Sequence, residues 1–524
     1  MPVRSPYPDV VIPEVSLFDF LLTDFGERAD APALIDGGSG AAVTFTELRC
    51  LALKTAAALA ERGIAAGDVV AVFAPNTPYY AVVFHGILRA NAIVTSANSL
   101  YTPGELAHQL SDSGTKLLFT VAAFLDRATV AVAQAGLPTD SIIVLDGAEG
   151  YTSLEDLLDT SAEPPAQTVG PGDTAVLPYS SGTTGRAKGV ILTHRNLVAN
   201  LCQITPMFEV NAESTLIAVL PFFHIYGMTV MMNNGIHNRS TVVTMSKFDL
   251  PEFLRVIAKY KVKRVYIAPP VAVALAKHPI VDSYDLSCVD VVFSGAAPLD
   301  AELGRAVARR LGCRMLQGYG MTELSPVSHA IPDNRPDIDL NSVGFAVPGS
   351  ECKLVDPDTG AEVGPGERGE LWVKGPHVMT GYLNNPEATA RTLDAEGYLH
   401  TGDVATVTAE GVFTIVDRVK ELIKYKGYQV PPAELEALLL THDKIADAAV
   451  IGVRDDAGEE VPKAFVVRQE SGADLTADDV MAFVAARIAP HKKVRMVEFI
   501  DQIPKSASGK ILRKDLRARE PVAS

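Results

Sequence analysis

What most constrains this chain is an alternation that runs through its first two-thirds. Short Val- and Ile-rich runs recur: VVAVFAP after Gly67-Asp68, then KLLFTV, SIIVLD, STLIAVLP, STVVTM, RVYIAP and VDVVFSG. Each lies beside a stretch with helical spacing, such as YYAVVFHGILRAN from about Pro78. Apolar runs this short, alternating with helices, read as βαβ units in largely parallel sheets. The expected fold class is therefore α/β, with a large N-terminal domain. No fixed repeat of roughly 20–50 residues is present, which excludes a solenoid or propeller.

The texture changes near Ser342. Residues 343–416 are dense in Gly and Pro and carry short alternating strands (ECKLVDP, GELWVKG, GVFTIVD), which predicts a small antiparallel β unit packed on the α/β core. A charged break, Asp417-Arg418-Val419-Lys420, precedes a compact tail. That tail reads as α+β, with a helix started by Pro431-Pro432, because proline at a first helical position fixes φ without losing a needed N–H. We therefore expect an N-terminal domain over 1–419 and a C-terminal domain over 420–524, about the size of an independent folding unit.

Composition narrows the function classes. The 524 residues carry 46 basic and 63 acidic side chains, a net charge of −17, which argues against a nucleic-acid or anionic-membrane partner. Cys50, Cys202, Cys288, Cys313 and Cys352 are scattered without a CxxC pair, as suits reduced thiols in the cytosol. The proline-studded N-terminus has no apolar signal core, the C-terminus is not SKL, and no run of about 18 apolar residues appears. A cytoplasmic protein without integral membrane association is the expectation.

The strongest local signal is Tyr179-Ser180-Ser181-Gly182-Thr183-Thr184-Gly185-Arg186-Ala187-Lys188-Gly189, set between two apolar runs. Glycines let a backbone present successive N–H groups, hydroxyls add donors and Lys188 adds charge, the ingredients of a polyphosphate grip. It is not a Walker loop, which would need glycine at Ala187. Composition alone would equally allow a flexible Ser/Thr/Gly surface loop.

Further blocks decide between these readings. They are Pro221-Phe222-Phe223-His224-Ile225-Tyr226-Gly227, Ser294-Gly295-Ala296-Ala297-Pro298, Gln317-Gly318-Tyr319-Gly320-Met321-Thr322-Glu323 and Tyr398-Leu399-His400-Thr401-Gly402-Asp403. Then come Asp417-Arg418-Val419-Lys420 running on to Gln429, and Pro504-Lys505-Ser506-Ala507-Ser508-Gly509-Lys510. In this order they resemble the adenylate-forming (ANL) superfamily, and within it the 4-coumarate–CoA ligase and acyl-CoA synthetase branch, over nearly the whole chain. Ala187 departs from the family's usual proline and loosens the turn slightly.

The resemblance implies a two-step reaction that uses ATP, Mg²⁺ and coenzyme A. A carboxylate attacks the α-phosphorus of ATP to give an acyl-adenylate and pyrophosphate, and the CoA thiol then displaces AMP. Each step moves negative charge, so positioned cations and N–H donors supply much of the rate. The family's roles carry over as follows. Residues 180–188 hold the β- and γ-phosphates. Thr322 contacts the α-phosphate, and Glu323 holds Mg²⁺ rather than being a solvated cap. Asp403 takes the ribose hydroxyls with help from Arg418, and Gln317 and Gly318 line the adenine side.

Lys510 is implied as the adenylation lysine, although lysines in basic tails are usually only solvated; it is also a candidate for an acetyltransferase and deacetylase pair. Lys420 falls at the hinge between domains. After rotation of the tail, Lys424 and Gln429 serve thioester formation, Lys426 and Gly427 approach CoA, and Lys247 is a further CoA candidate. His224 either is a core histidine or orients the carboxylate and shields the adenylate; with no HExxH spacing, a protein-bound transition metal is not expected.

By family position the acyl pocket is lined by Tyr226, Gly295, Ala296, Gly320, Pro326 and Val327. Small residues beside a tyrosine are expected to leave a flat slot for an aromatic ring, with the Tyr226 hydroxyl available to a ring substituent. Leu324-Ser325 departs from the Ala-Gly common in plant enzymes. Fatty acyl-CoA synthetases, a luciferase-like monooxygenase, a stand-alone adenylation enzyme loading a carrier protein and a non-catalytic nucleotide regulator are the alternatives. The last predicts decay of Lys188, Glu323 or Lys510, and all three are present. With 14 residues after Lys510 in the sequence, a carrier domain is not expected.

Overall fold

The computed structural model describes residues 2–180, 187–425, 428–455, 459–469, 472–506 and 509–520. It is a mixed α/β protein with a large N-terminal and a smaller C-terminal domain. Two sheets dominate the large domain, each with nine strands among the described residues. In the first, Ile93–Ser96, Val69–Phe73, Thr115–Thr120, Ile142–Val144 and Thr152–Ser153 run parallel. In the second, Pro32–Asp36, Thr241–Thr244, Thr215–Ala218, Arg264–Ile267, Val291–Ser294 and Arg314–Gly320 run parallel in that spatial order. Seven of these are the Val/Ile runs of the sequence; Pro32–Asp36, Ile93–Ser96, Thr152–Ser153 and Arg314–Gly320 were not among them. Every residue of Val69–Phe73 is buried, so this strand reads as a continuous rather than an alternating apolar run, and Arg264–Ile267 is buried throughout as well.

Both parallel sheets end in antiparallel additions that matter for the site. Lys188–Thr193 pairs antiparallel with Tyr179–Ser180 on one side and with Thr174–Val176 on the other. Arg314–Gly320 turns back through Thr322–Leu324 into the antiparallel strand Val327–Ala330. The Gly/Pro-rich segment forms an all-antiparallel sheet in which Val3–Arg4, Glu351–Val355, Gly369–Lys374, Leu399–Val407 and Phe413–Arg418 lie in sequence across the sheet.

The small domain opens with the hairpin Ile423–Tyr425 and Tyr428–Val430. It continues with the helix Pro432–Leu440, the antiparallel strands Ile445–Arg454 and Glu460–Arg468, and Met496–Phe499 added in parallel. Cores separate in the same way. One apolar cluster gathers residues from Leu17 to Phe413, while two others draw only on residues from Ile423 to Leu516. A domain with its own core can move as a unit, whereas a shared core would resist it.

Helix starts follow local chemistry. Thr102 caps Pro103–Asp112 with a reciprocal Glu105 contact, and Thr77 caps Pro78–Arg89 ahead of a first-turn proline. One element has no counterpart in the periodicity: Tyr226–Asn233 is a wide π-type helix, buried throughout. A Cβ on Gly227 would collide with the carbonyl oxygen of Pro221, so only glycine lets this helix start so close to the PFFHIYG turn.

Candidate active site

The stem of the Ser/Thr/Gly loop is fixed by an antiparallel rung in which Ser180 faces Lys188. Ser181, Gly182, Thr183, Thr184 and Gly185 lie outside the described residues. Tyr179 anchors the stem by donating to Asp112 Oδ2 at 2.6 Å. Ser180 Oγ and Tyr382 Oη both donate to Glu323 Oε1, at 3.1 and 2.8 Å. Lys188 Nζ sits 4.8 Å from the centre of the Tyr382 ring. Glu323 is thus buried and oriented by two hydroxyls, not a solvated helix cap. Its backbone carbonyl also accepts from Met379 N at 2.9 Å, which fixes the turn carrying Thr322. Loop stem, carboxylate and lysine form one cluster.

A cavity of about 660 Å³ opens between the domains, its wall including Gln317, Gly318, Gly320, Asp403, Arg418 and Lys510. Asp403 and Arg418 are direct partners across adjacent strands, with Arg418 Nε 3.4 Å from Asp403 Oδ1. Tyr319 Oη donates to the other oxygen, Oδ2, at 2.6 Å. The buried carboxylate is therefore held in one orientation by a cation and a phenol. Gln317 forms wall rather than a reaching donor, because its carboxamide is bound to the backbone of Leu299 and to the Leu340 carbonyl.

Lys510 is half-buried at this cavity, on a turn closed by Ser506 N donating to the Lys510 carbonyl and Lys510 N to Ser506 Oγ. Burial, then the nearby Arg418 charge, lowers its pKa from the usual lysine range to about 8, against the opposing pull of Asp403 and Glu323. The lysine therefore feels the charge of both Asp403 and Glu323. His224 faces the same charge: burial first and Lys510 second lower its pKa to about 4, so the ring is neutral at pH 7. Its Nδ1 accepts from Tyr226 N at 3.3 Å, which leaves Nε2 as the protonated edge.

Other expected residues are not brought to this cavity. Lys424 and Gln429 face each other across the small-domain hairpin, outside the cavity wall, with Lys424 exposed and its N–H bonded to Glu460. Lys420 is exposed on the turn between the domains, and Lys247 is exposed beyond Thr241–Thr244, also outside the wall. Lys426 and Gly427 lie outside the described residues.

The acyl set divides. Ala296 and Gly320 line the cavity, whereas Tyr226, Gly295, Pro326 and Val327 stand outside its wall. The packing beside the small residues is close. The Tyr226 ring itself fills the space beside Gly295, where a Cβ would lie 3.0 Å from ring carbon, and a Cβ on Gly320 would collide with the Pro326 carbonyl. These glycines admit the close approach of a ring and a backbone. The Tyr226 hydroxyl is not idle either, since it donates to the Phe293 carbonyl at 3.4 Å and keeps only its lone pairs for a substrate.

Sequence reasoning passed over Tyr319 and Tyr382. Tyr319 lies in a quoted block and Tyr382 in none, and their hydroxyl partners, 84 and 59 positions away in sequence, become neighbours only on folding. It also passed over the buried Arg264–Asp333 ion pair, with the guanidinium 4.8 Å from the Phe208 ring centre and 5.1 Å from that of Tyr266. Among the described residues no group of three or more His, Cys, Asp or Glu side chains is arranged to hold a metal, and no helix is long and apolar enough to cross a membrane.

Known proteins match this arrangement. The AMP-binding enzyme family model matches residues 23–383, and the model of the AMP-binding enzyme C-terminal domain matches residues 434–510. The chain is 42% identical to 4-coumarate:CoA ligase 1 of Petunia hybrida, over 98% of this chain and 96% of that one. Among solved structures, ATP-bound MatB from Rhodopseudomonas palustris superposes with a TM-score of 0.87 at 28% identity, covering 97% of this chain and 99% of that one. An anthranilate CoA ligase in complex with anthranoyl-AMP gives 0.89 at 25% identity, covering 98% of each. With a family model over residues 23–383 and similarity along the whole length, the chain belongs to the AMP-binding enzyme family, among its acid–CoA ligases.

Proposed function

We propose that this protein joins 4-coumarate or a closely related aryl acid to coenzyme A through an acyl-adenylate. The observation that carries the reading is the meeting of Lys510 with the Asp403–Arg418 pair in the wall of one cavity, with the Ser180–Glu323–Tyr382 cluster two residues along the chain from the wall residue Met321. The aryl preference is supported by the petunia relative and by the anthranilate ligase, which shares the fold from end to end.

In this reading the small domain stands as needed for the first step. Lys510 brings its positive charge to the junction of carboxylate and α-phosphate, where charge builds as the bond forms. Neutral His224 covers the adenylate without adding a competing charge, and Asp403, steadied by Tyr319 and Arg418, takes the ribose. Lys188 and the loop hold the outgoing phosphates, and Thr322 contacts the α-phosphate. Mg²⁺ fits Glu323, since it commonly takes one or two protein carboxylates along with substrate phosphates, and both hydroxyl donors fall on the same oxygen of this one. When bound, it supplies charge neutralisation at the phosphates.

The second step needs the tail to turn about Lys420, so we assign the domains to 1–419 and 420–524, with the β-rich unit at about 343–416. Lys424 and Gln429, now outside the cavity, would then replace Lys510, with Lys426, Gly427 and Lys247 serving CoA. Tyr226, Gly295, Ala296, Gly320, Pro326 and Val327 are assigned to the acyl end, and Gln317 and Gly318 to the adenine wall. Cytosolic residence belongs to the same reading and is supported by five cysteines that form no disulfide.

CoA-dependent AMP release across 4-coumarate, cinnamate, benzoate, octanoate and palmitate tests the proposal. We expect 4-coumarate or cinnamate to be preferred in kcat/KM by at least about tenfold, since one well-used ring contact is worth that much. Preference for the alkyl acids would overturn the substrate assignment, and adenylate formation without CoA turnover would overturn the thioester step.

A further inference from the structure

The helix Pro432–Leu440 of the small domain provides for its ends only in part: Glu434 lies in its first turn and Thr441 Oγ1 donates to the Leu438 carbonyl, but Ala433 N and the Leu440 carbonyl take partners from outside it. Its N-cap is Pro431, which makes no side-chain cap, and its last turn contains no basic residue. A helix carries partial positive charge at its first turn and partial negative charge at its last, and both ends leave backbone groups to be satisfied.

The large domain answers both needs. At the first turn, Asp417 Oδ2 accepts from Ala433 N at 2.9 Å, while Oδ1 accepts from Arg418 N at 2.7 Å. Asp417 is buried, on the last strand of the antiparallel sheet. Burial pushes its carboxyl pKa up, and the Arg513 guanidinium pulls it back. At the last turn, Lys277 Nζ donates to the Leu440 carbonyl at 3.1 Å, with Asp443 as its nearby charge. Lys277 ends the helix Pro269–Lys277, whose final turn is braced by Arg310 donating to the carbonyls of Leu275 and His278. The start of that same helix receives the Lys510 turn: a Cβ on Gly509 would lie 3.3 Å from Ala268 and Pro270. One small-domain helix is thus held by an anion at its positive end and a cation at its negative end, both from the other domain. One large-domain helix touches both that grip and the catalytic turn.

We propose that Asp417 and Lys277 are positioning residues that hold the small domain in the adenylating pose, by capping its first helix from across the domain boundary. This rests on the two-pose reading given above and assigns the contacts that select one pose. Neither residue touches the reacting atoms. The Lys277 contact is exposed and weak, which suits a domain that must leave this pose every cycle, because a nearly balanced equilibrium responds to a small bias.

The two half-reactions separate the idea from a general loss of fold. We would measure single-turnover pyrophosphate release with acid and MgATP, and separately CoA capture of preformed acyl-adenylate. Lys277→Ala should slow adenylation by about threefold to fivefold, the upper range for an exposed contact, without slowing CoA capture, and Lys277→Arg should restore it. Asp417→Asn, which keeps the shape and loses the charge, should slow adenylation by about tenfold with CoA capture again spared. Equal slowing of both steps, or no change in adenylation for either variant, would overturn the proposal. Wild-type enzyme that forms no adenylate with any acid would instead overturn the functional reading, and the two failures are distinct.

Discussion

Lys510 shows how much one side chain's surroundings matter. In sequence it is one more lysine in a basic tail, and its setting makes it a group with a pKa of about 8. The direction fixes a prediction. The ammonium is present below that value and is lost as pH rises through it, so kcat/KM for adenylation, which reports the free enzyme, should fall above about pH 8. In the activity that Lys510→Arg retains, this falling limb should vanish, because a guanidinium stays charged. A pH profile of pyrophosphate release checks this, and an unchanged limb in that variant would remove Lys510 from the role. His224 adds no limb between pH 5 and 8, since its pKa lies near 4.

At the scale of elements, strands and turns deliver side chains that their own sequences do not explain. The strand Arg264–Ile267 is fully buried, yet it begins with an arginine paired to Asp333 beyond the neighbouring hairpin. Such a pair is costly to desolvate and costlier to break. Asp333→Ala strands a buried cation and should lower stability by about 3–5 kcal/mol, whereas the joint change Arg264→Met with Asp333→Leu should recover most of it. Calorimetric unfolding of the three proteins decides; equal loss in the double variant would show that the pair contributes more than mutual neutralisation. The periodicity of this strand was legible, but its buried charge was not, because a partner 69 positions away exists only in three dimensions. The π-type helix Tyr226–Asn233 was not legible at all, since its close approach to Pro221, which only a glycine at 227 permits, exists only in the folded chain.

For the whole molecule, the two faces of the small domain set the argument. Lys510 faces the cavity while Lys424 sits exposed on a hairpin outside it, so a single fixed pose cannot use both. Lys424→Ala should leave single-turnover adenylation within about twofold of wild type and slow CoA capture by at least about tenfold, the cost of losing one charged contact in a transition state. Comparable losses in both half-reactions would count against the alternation.

The order of strands and helices, the change of texture near Ser342, and the motif blocks that carry ATP chemistry were all determined by the sequence alone, because local periodicity and short-range spacing encode them. The pairing of Tyr319 with Asp403 and of Tyr382 with Glu323 was not, nor was the filling of the space beside Gly295 by Tyr226. The same is true of the capping of a small-domain helix by Asp417 and Lys277. These depend on which distant surfaces meet. Burial then turns an ordinary hydroxyl, carboxylate or lysine into a group with one orientation and a shifted proton affinity, and only the tertiary structure decides what is buried against what.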